Sequence, residues 1–311
     1  MRVVFCGTPQ FAVPSLRALL DSGFEIPLVV SQPDRPSGRG MQITPTPVKE
    51  LALSRGVEVM QPEKIKNNQE FRARLEAIRP DAIVVVAYGR IIPQWMIDLP
   101  RFGNINGHAS LLPKYRGAAP IQWAIAMGET VTGVTTMRID AGLDTGDMLL
   151  KRELPITADD TALTIAPKLA QITAELLVET LRGLEDGTVT PTPQDHSEAT
   201  LAPILKKEDG QIDFQRTATD IWNRLRGFQP WPGAYCTYRG KKLSVTAARS
   251  LPSGTAVLEA GELRVDCGQM LVGCGQLSTL ELLEVQPEGK KRMSAKDFLN
   301  GYKPTNGERL Q

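Results

Sequence analysis

The chain has 311 residues, 41% of them hydrophobic and 23% charged, a composition that predicts a soluble globular protein of one large or two ordinary domains. No apolar run reaches the roughly 18–20 residues that span a bilayer, and the apolar start MRVVFC breaks at Gly7-Thr8-Pro9, so a cytoplasmic protein without a secretory signal or membrane association is expected. The formal charge of +1 conceals a net +4 over residues 204–311 against −3 before them, which allows a polyanionic partner at the C-terminal end without requiring one.

Residues 2–6 read as a short strand. Leu16, Leu19 and Leu20 then have helical spacing up to a stop at Ser22-Gly23, and residues 26–31 read as a second strand. This β-α-β opening predicts a parallel α/β sheet. The first turn is Gly-Thr-Pro and not G-x-G-x-x-G, which argues against a nicotinamide dehydrogenase. Residues 32–49 hold four prolines and two glycines with Arg35, Arg39 and Lys49 among them; they form either a solvated loop or a basic arm for phosphates.

A helix over 48–55, a strand over 57–60 and an Asn-capped helix over 67–78 follow, the last with Phe71, Leu75 and Ile78 on one face. Residues 81–87 are almost wholly apolar, as a central strand buried on both faces must be. Tyr88-Gly89 lies at its C-terminal end, and a strand over 103–107 delivers His108 to the same edge, where ligands lie in open α/β sheets. Residues 128–137 and 148–154 predict a strand pair around MRIDAGLDTGD. The helical pattern over 161–183 contains Pro167, where a kink or a late helix start is expected.

The Thr- and Pro-rich residues 188–205 read as a linker between a domain over 1–187 and one over 206–311. Beyond it come a helix over 218–226 and short strands over 234–238, 242–247, 254–259, 262–266 and 277–286, which predict a small barrel. A terminal helix capped at Ser294 ends the domain. Cys6, Cys236, Cys267 and Cys274 form no CxxC and have only two histidines beside them, so neither a metal site nor a disulfide framework is expected. Lys206 and Lys207, within the basic third, suit phosphate contacts or are solvated surface charges.

His108 is one of the two histidines, and N-x-H alone fits a structural strand-end histidine as well as a catalyst. Asn106 and His108 are two apart in extended chain, so both side chains reach the same side. Asp144, from the GLDTG turn, is placed to pair with the imidazole and fix its tautomer. No Ser or Cys is evident as a nucleophile on the histidine, although Ser110 is near. The trio suits a reaction whose substrate brings its own nucleophile while the protein stabilises a tetrahedral oxyanion.

The run INGHASLLPKYRGAAPIQWAI, with VVAYGRIIP before it and DAGLDTGDM after, resembles the folate-dependent formyltransferases. GTPQFAVPSL, QPDRPSGRG, KKEDGQIDF and PWPGA extend the likeness along nearly the whole chain. The resemblance implies a Rossmann-like α/β domain followed by an OB-like β-barrel. It implies 10-formyltetrahydrofolate as co-substrate, no metal, a monomer, and the branch of the family that formylates initiator methionyl-tRNA. Catalytic roles fall on Asn106, His108 and Asp144. Folate binding falls on Ser110, Leu111, Leu112 and Pro113, and on the loop Tyr88, Gly89, Arg90 and Ile91. Approach to the tRNA falls on the loop of Arg35 and Arg39. A formyltransferase acting on an amino sugar nucleotide shares the same core and is the alternative.

Overall fold

The apolar runs become the strands of two separate sheets in the computed structural model, which describes residues 1–37, 42–252, 254 and 257–311. In chain order the first elements are β1 (Arg2–Gly7), α1 (Val13–Asp21), β2 (Glu25–Val30), β3 (Arg35–Ser37), β4 (Gln42–Thr44), α2 (Pro47–Ser54), β5 (Glu58–Met60), α3 (Gln69–Ile78), β6 (Ala82–Val86), α4 (Gln94–Ile97) and β7 (Asn104–His108). Then come α5 (Pro120–Ala126), β8 (Val131–Arg138), β9 (Met148–Pro155) and α6 (Ala162–Glu185). Residues 1–118, 131–155 and 166–202 form one unit, and residues 119–130, 156–165 and 203–311 a second.

The first unit is built on a seven-stranded sheet in the order β5-β2-β1-β6-β7-β8-β9. Strands β5 to β7 are parallel, and β8 and β9 antiparallel. Alternation along β1 sends Val3 and Phe5 to one face, with Leu177 and Leu181 of α6, and Val4 and Cys6 to the other, with Phe71, Leu75 and Ile78 of α3. Both faces are covered, which is why β6 is apolar at every position. The chain crosses from one side of β1 to the other before β6, so the carboxyl ends of β1, β6 and β7 open at a topological switch point.

Two expectations need correcting here. Of the kink or late start expected at Pro167, the late start is ruled out: α6 begins at Ala162 and Pro167 lies inside it; Thr161 N donates to Thr164 Oγ1 and Thr164 Oγ1 to Asp160 Oδ1 at its first turn. The stretch read as linker is not a bare connection. Thr192 exchanges backbone hydrogen bonds with Met148, Leu201 bridges Arg116, and Gln194 is buried. Its Thr, Gln and Pro content signals irregular backbone, and irregular backbone still finds hydrogen-bond partners when buried.

The second unit continues with α7 (Ala218–Gly227), β10 (Ala234–Tyr238), β11 (Lys241–Leu251), β12 (Leu263–Asp266), β13 (Gln269–Cys274), β14 (Ser278–Pro287), β15 (Met293–Ser294) and α8 (Ala295–Tyr302). The strands run antiparallel in the order β10-β11-β14-β13-β12, with β15 on β14. The C-terminal segment covers both edges: Thr237 and Gln311 exchange backbone hydrogen bonds of 2.5 and 3.0 Å, and Leu263 N donates to Glu308 O at 2.7 Å. The C-terminal segment thereby bridges the two outer strands, β10 and β12, around a core that holds Val245, Leu263, Leu282 and Phe298.

Ser294 caps α8 as expected, its hydroxyl accepting from Asp297 N. Residues 255 and 256 of the strand expected over 254–259 lie outside the described residues, and 257–259 are not in a strand. Strand β13 lies between the strands expected over 262–266 and 277–286, where none is expected; its short MLV core is closely flanked by Gly268, Gly273 and Gly275.

Candidate active site

The site is built on β7. Gly107, between Asn106 and His108, faces α6: a Cβ there would lie 2.5 Å from Thr173 Cγ2 and 3.4 Å from Leu177 Cδ1. The helix therefore sits directly on the strand, and the Asn106 and His108 side chains share the opposite side. Both meet the Asp144 carboxylate. Asn106 Nδ2 donates to Asp144 Oδ1 at 3.4 Å, and His108 Nδ1 lies 3.7 Å from Oδ2. Oδ2 also accepts the Gly117 N–H at 2.8 Å. Gly117 has φ +120°, a conformation open to glycine, and a Cβ there would press on the Ala202 carbonyl.

His108 is buried, and its Nε2 lies 2.9 Å from the Tyr115 carbonyl oxygen. A carbonyl only accepts, so Nε2 carries a proton in this arrangement. Three residues around the site, Ala87, Tyr115 and Asp144, hold left-handed backbone at φ 46°, 60° and 51°. Such strain persists only where the surroundings over-determine the conformation.

The segment after His108 is pinned from three sides. Ser110 Oγ donates to Lys114 O at 2.6 Å, and Thr135 Oγ1 of β8 donates to Ser110 O at 2.8 Å while accepting from Leu112 N at 3.0 Å. Lys151 Nζ of β9 reaches Leu112 O at 2.5 Å. Leu112 is buried, whereas Leu111 and Pro113 are half-buried. Across the strand ends, the Tyr88 side chain is 2% exposed and packs into the core with Cys6 and Met96, so only its backbone faces the loop. Burial pushes its phenol well above the ordinary tyrosine range, which keeps it neutral. Its carbonyl accepts from Gln32 Nε2 at 2.8 Å, and Gln32 also reaches Gly89 O at 3.3 Å. The loop presents Ile91, which is 93% exposed. Arg90 Nε is buried with no hydrogen-bond partner among the described residues.

Arg35 is exposed at the start of the small β3–β4 pair, and Arg39 lies outside the described residues. Lys49 belongs to the base of this arm, where Nζ contacts Asp34 Oδ2 at 2.5 Å and Gln61 Oε1 at 2.7 Å. It ties the two ends of the loop together. Lys206 and Lys207 are exposed in the second unit, where Lys206 N donates to Asp209 Oδ2 at 2.7 Å. Among the described residues no three His, Cys, Asp or Glu side chains are grouped to hold a metal ion, and no helix is long and apolar enough to cross a membrane. Sequence reasoning missed Arg116 and Gln194, both buried beside the Asp144 turn. Only their contact, across 78 positions, marks them.

The formyl transferase family model matches residues 1–181, and the model of the formyl transferase C-terminal domain matches residues 204–303. The chain is 64% identical over 310 residues to a methionyl-tRNA formyltransferase of Koribacter versatilis, covering 100% of this chain and 98% of that one. It is 63% identical over 301 residues to that of Acidobacterium capsulatum, covering 97% and 96%. An N-formyltransferase from Helicobacter canadensis, solved in complex with folinic acid and dTDP-3-aminofucose, shares 17% identity with a TM-score of 0.67, over 92% of this chain and 99% of that chain. At that identity the likeness is one of fold. With a model matched over more than half of the chain and relatives alike along its whole length, this chain belongs to the formyl transferase family.

Proposed function

We propose that this chain transfers the formyl group of 10-formyltetrahydrofolate to the α-amino group of methionine on initiator methionyl-tRNA. The observation that carries the chemistry is the convergence of Asn106 and His108 on Asp144, while the nearby Ser110 hydroxyl is bonded to the Lys114 carbonyl and not to the imidazole. The substrates follow the relatives: identity to methionyl-tRNA formyltransferases is 64%, against 17% to the sugar-modifying structure.

The substrate amine attacks the formyl carbon. As the carbonyl oxygen gains charge, Asn106 Nδ2 and His108 Nε2 donate to it, the latter exchanging the Tyr115 carbonyl for the oxyanion. Asp144 accepts from Asn106 and faces His108 Nδ1, so it orients both donors before the substrate arrives. Collapse of the tetrahedral species breaks the bond from carbon to N10, which takes up the proton given by the amine. The formyl donor lies between Ser110, Leu111, Leu112 and Pro113 on one side and the backbone of Tyr88, Gly89, Arg90 and Ile91 on the other. The tRNA acceptor end is approached by Arg35 and Arg39, with Lys206 and Lys207 as phosphate contacts.

The test offers the purified chain 10-formyltetrahydrofolate with charged initiator methionyl-tRNA, with an amino sugar nucleotide, or with water alone. Formylated methionyl-tRNA is the expected product. Turnover confined to the sugar nucleotide, or to hydrolysis, overturns the reading.

A further inference from the structure

Beside the Asp144 turn lie two buried polar side chains that the oxyanion chemistry does not use. Arg116 and Gln194 are each 6% exposed. Arg116 donates to Gln194 Oε1 through both Nε, at 3.0 Å, and Nη2, at 2.6 Å, and Nη2 also lies 3.0 Å from His196 Nδ1. Gln194 Nε2 donates to the Asp144 carbonyl at 2.8 Å and to the Gly146 carbonyl at 2.7 Å. The amide has one orientation that satisfies this set, because the guanidinium only donates and the two carbonyls only accept. A buried guanidinium without a carboxylate is costly. Here two of its donors fix the orientation of one amide, and both of that amide's hydrogens go to the turn that carries Asp144.

Asp144 needs such support. Its backbone is left-handed, at φ 51°, and its carboxylate must face Asn106 and His108 together. Gln194 grips the carbonyls on both sides of Thr145, and Gly117 N–H holds the carboxylate itself. We infer that Gln194, oriented by Arg116, is a positioning residue for formyl transfer that holds the 144–146 turn so that Asp144 meets both oxyanion donors. The inference rests on the function proposed above.

The decisive variant is Gln194→Glu. It keeps the side chain's size and its acceptor for Arg116, removes both donations to the turn, and sets a carboxylate oxygen against two carbonyls. The expected result is a fall in kcat of ~10-fold or more, as misplacement of catalytic groups by about 1 Å can cost ~10²-fold. KM for methionyl-tRNA and for the formyl donor should stay within about twofold, since Gln194 is buried and bonds to the turn. The same change made in an Asp144→Asn background, followed by single turnover, should have almost no further effect, because a residue acting through Asp144 has nothing left to position. Arg116→Lys, which loses the two-pronged hold on the amide oxygen, should show the same pattern more weakly and serves if Gln194→Glu does not fold. Wild-type kcat in either folded variant, or an equal loss in both backgrounds, overturns the inference. The wild-type chain assayed alongside separates the two claims: an inactive wild type removes the proposed function, whereas an active wild type with unaltered variants removes only the role of Gln194.

Discussion

Two sets of buried polar groups, one in each unit, form a contrast. In the second unit the set closes on near neighbours. Arg226 donates to the Thr157 and Asp160 carbonyls and to Asn223 Oδ1, and Glu281 pairs with Arg249 at 2.5 Å. The apolar core of the barrel goes on around them. In the first unit, Arg116, Gln194, the Asp144 turn, Asn106 and His108 form one connected series that ends at the carboxyl end of β7. Burying a polar group is costly unless it is hydrogen-bonded. Polar groups that satisfy one another locally act as scaffold. The series that leads to the Asp144 carboxylate, Asn106 and His108 is the candidate site.

Four substitutions test this contrast. The largest effect is expected in the barrel: Phe298 is fully buried, edge-on to Tyr238 at 5.4 Å and stacked on Tyr302 at 4.5 Å. Phe298→Ala should cost about 3–5 kcal/mol in denaturant unfolding, and a loss below about 1 kcal/mol would mean that the barrel does not depend on this ring. Next comes His108→Ala, which should lower kcat by ~10²–10³, roughly 2.7–4 kcal/mol of barrier, with the circular dichroism of the wild type. Near-normal turnover in the folded variant would end the comparison, since the series would then lead to nothing chemical.

Gly107→Ala joins the two sides of the contrast. The added methyl presses on Thr173, so stability should fall by about 1–3 kcal/mol, and kcat should fall with it as β7 shifts. Wild-type values for both would show that α6 gives way instead. The smallest effect concerns barrel closure. Arg239 donates twice to Glu308, at 2.8 and 2.6 Å, and together with Thr305 holds its carboxyl down to about 2 from an ordinary 4.5. A lowered pKa contributes stability that is present above 4.5 and is lost as pH falls toward 2. Glu308→Gln should therefore flatten the acid end of the stability profile over that window. An unchanged dependence between neutral pH and pH ~3 would show that the pair does not secure the C-terminal segment.

Much of this was legible locally. The apolar run of β6, the cap at Ser294 and the two-residue spacing of Asn106 and His108 each depend on neighbours in sequence, so pattern and propensity reveal them. The stretch around Arg35 reads as irregular, yet it holds the β3–β4 pair and the start of α2, and the pairing of Lys49 with Asp34 was not legible either; one of its expected free cations is part of its base. Tyr88 reads as a loop aromatic and turns out to be core, because burial of a side chain at a strand end depends on what covers it.

By itself the sequence determined the α/β and barrel classes, the strand that bears Asn106 and His108, and the family likeness along the chain, since all three are written in periodicity and contiguous motifs. Only the tertiary structure decided that residues 188–202 pack on the first unit, that the C-terminal segment closes the barrel, and that Gln194 and Arg116 meet behind Asp144. The physical reason is the same in each case. A buried hydrogen bond is satisfied by whichever group the fold brings within 3 Å or so, and nothing in a residue's own neighbourhood says which group that is.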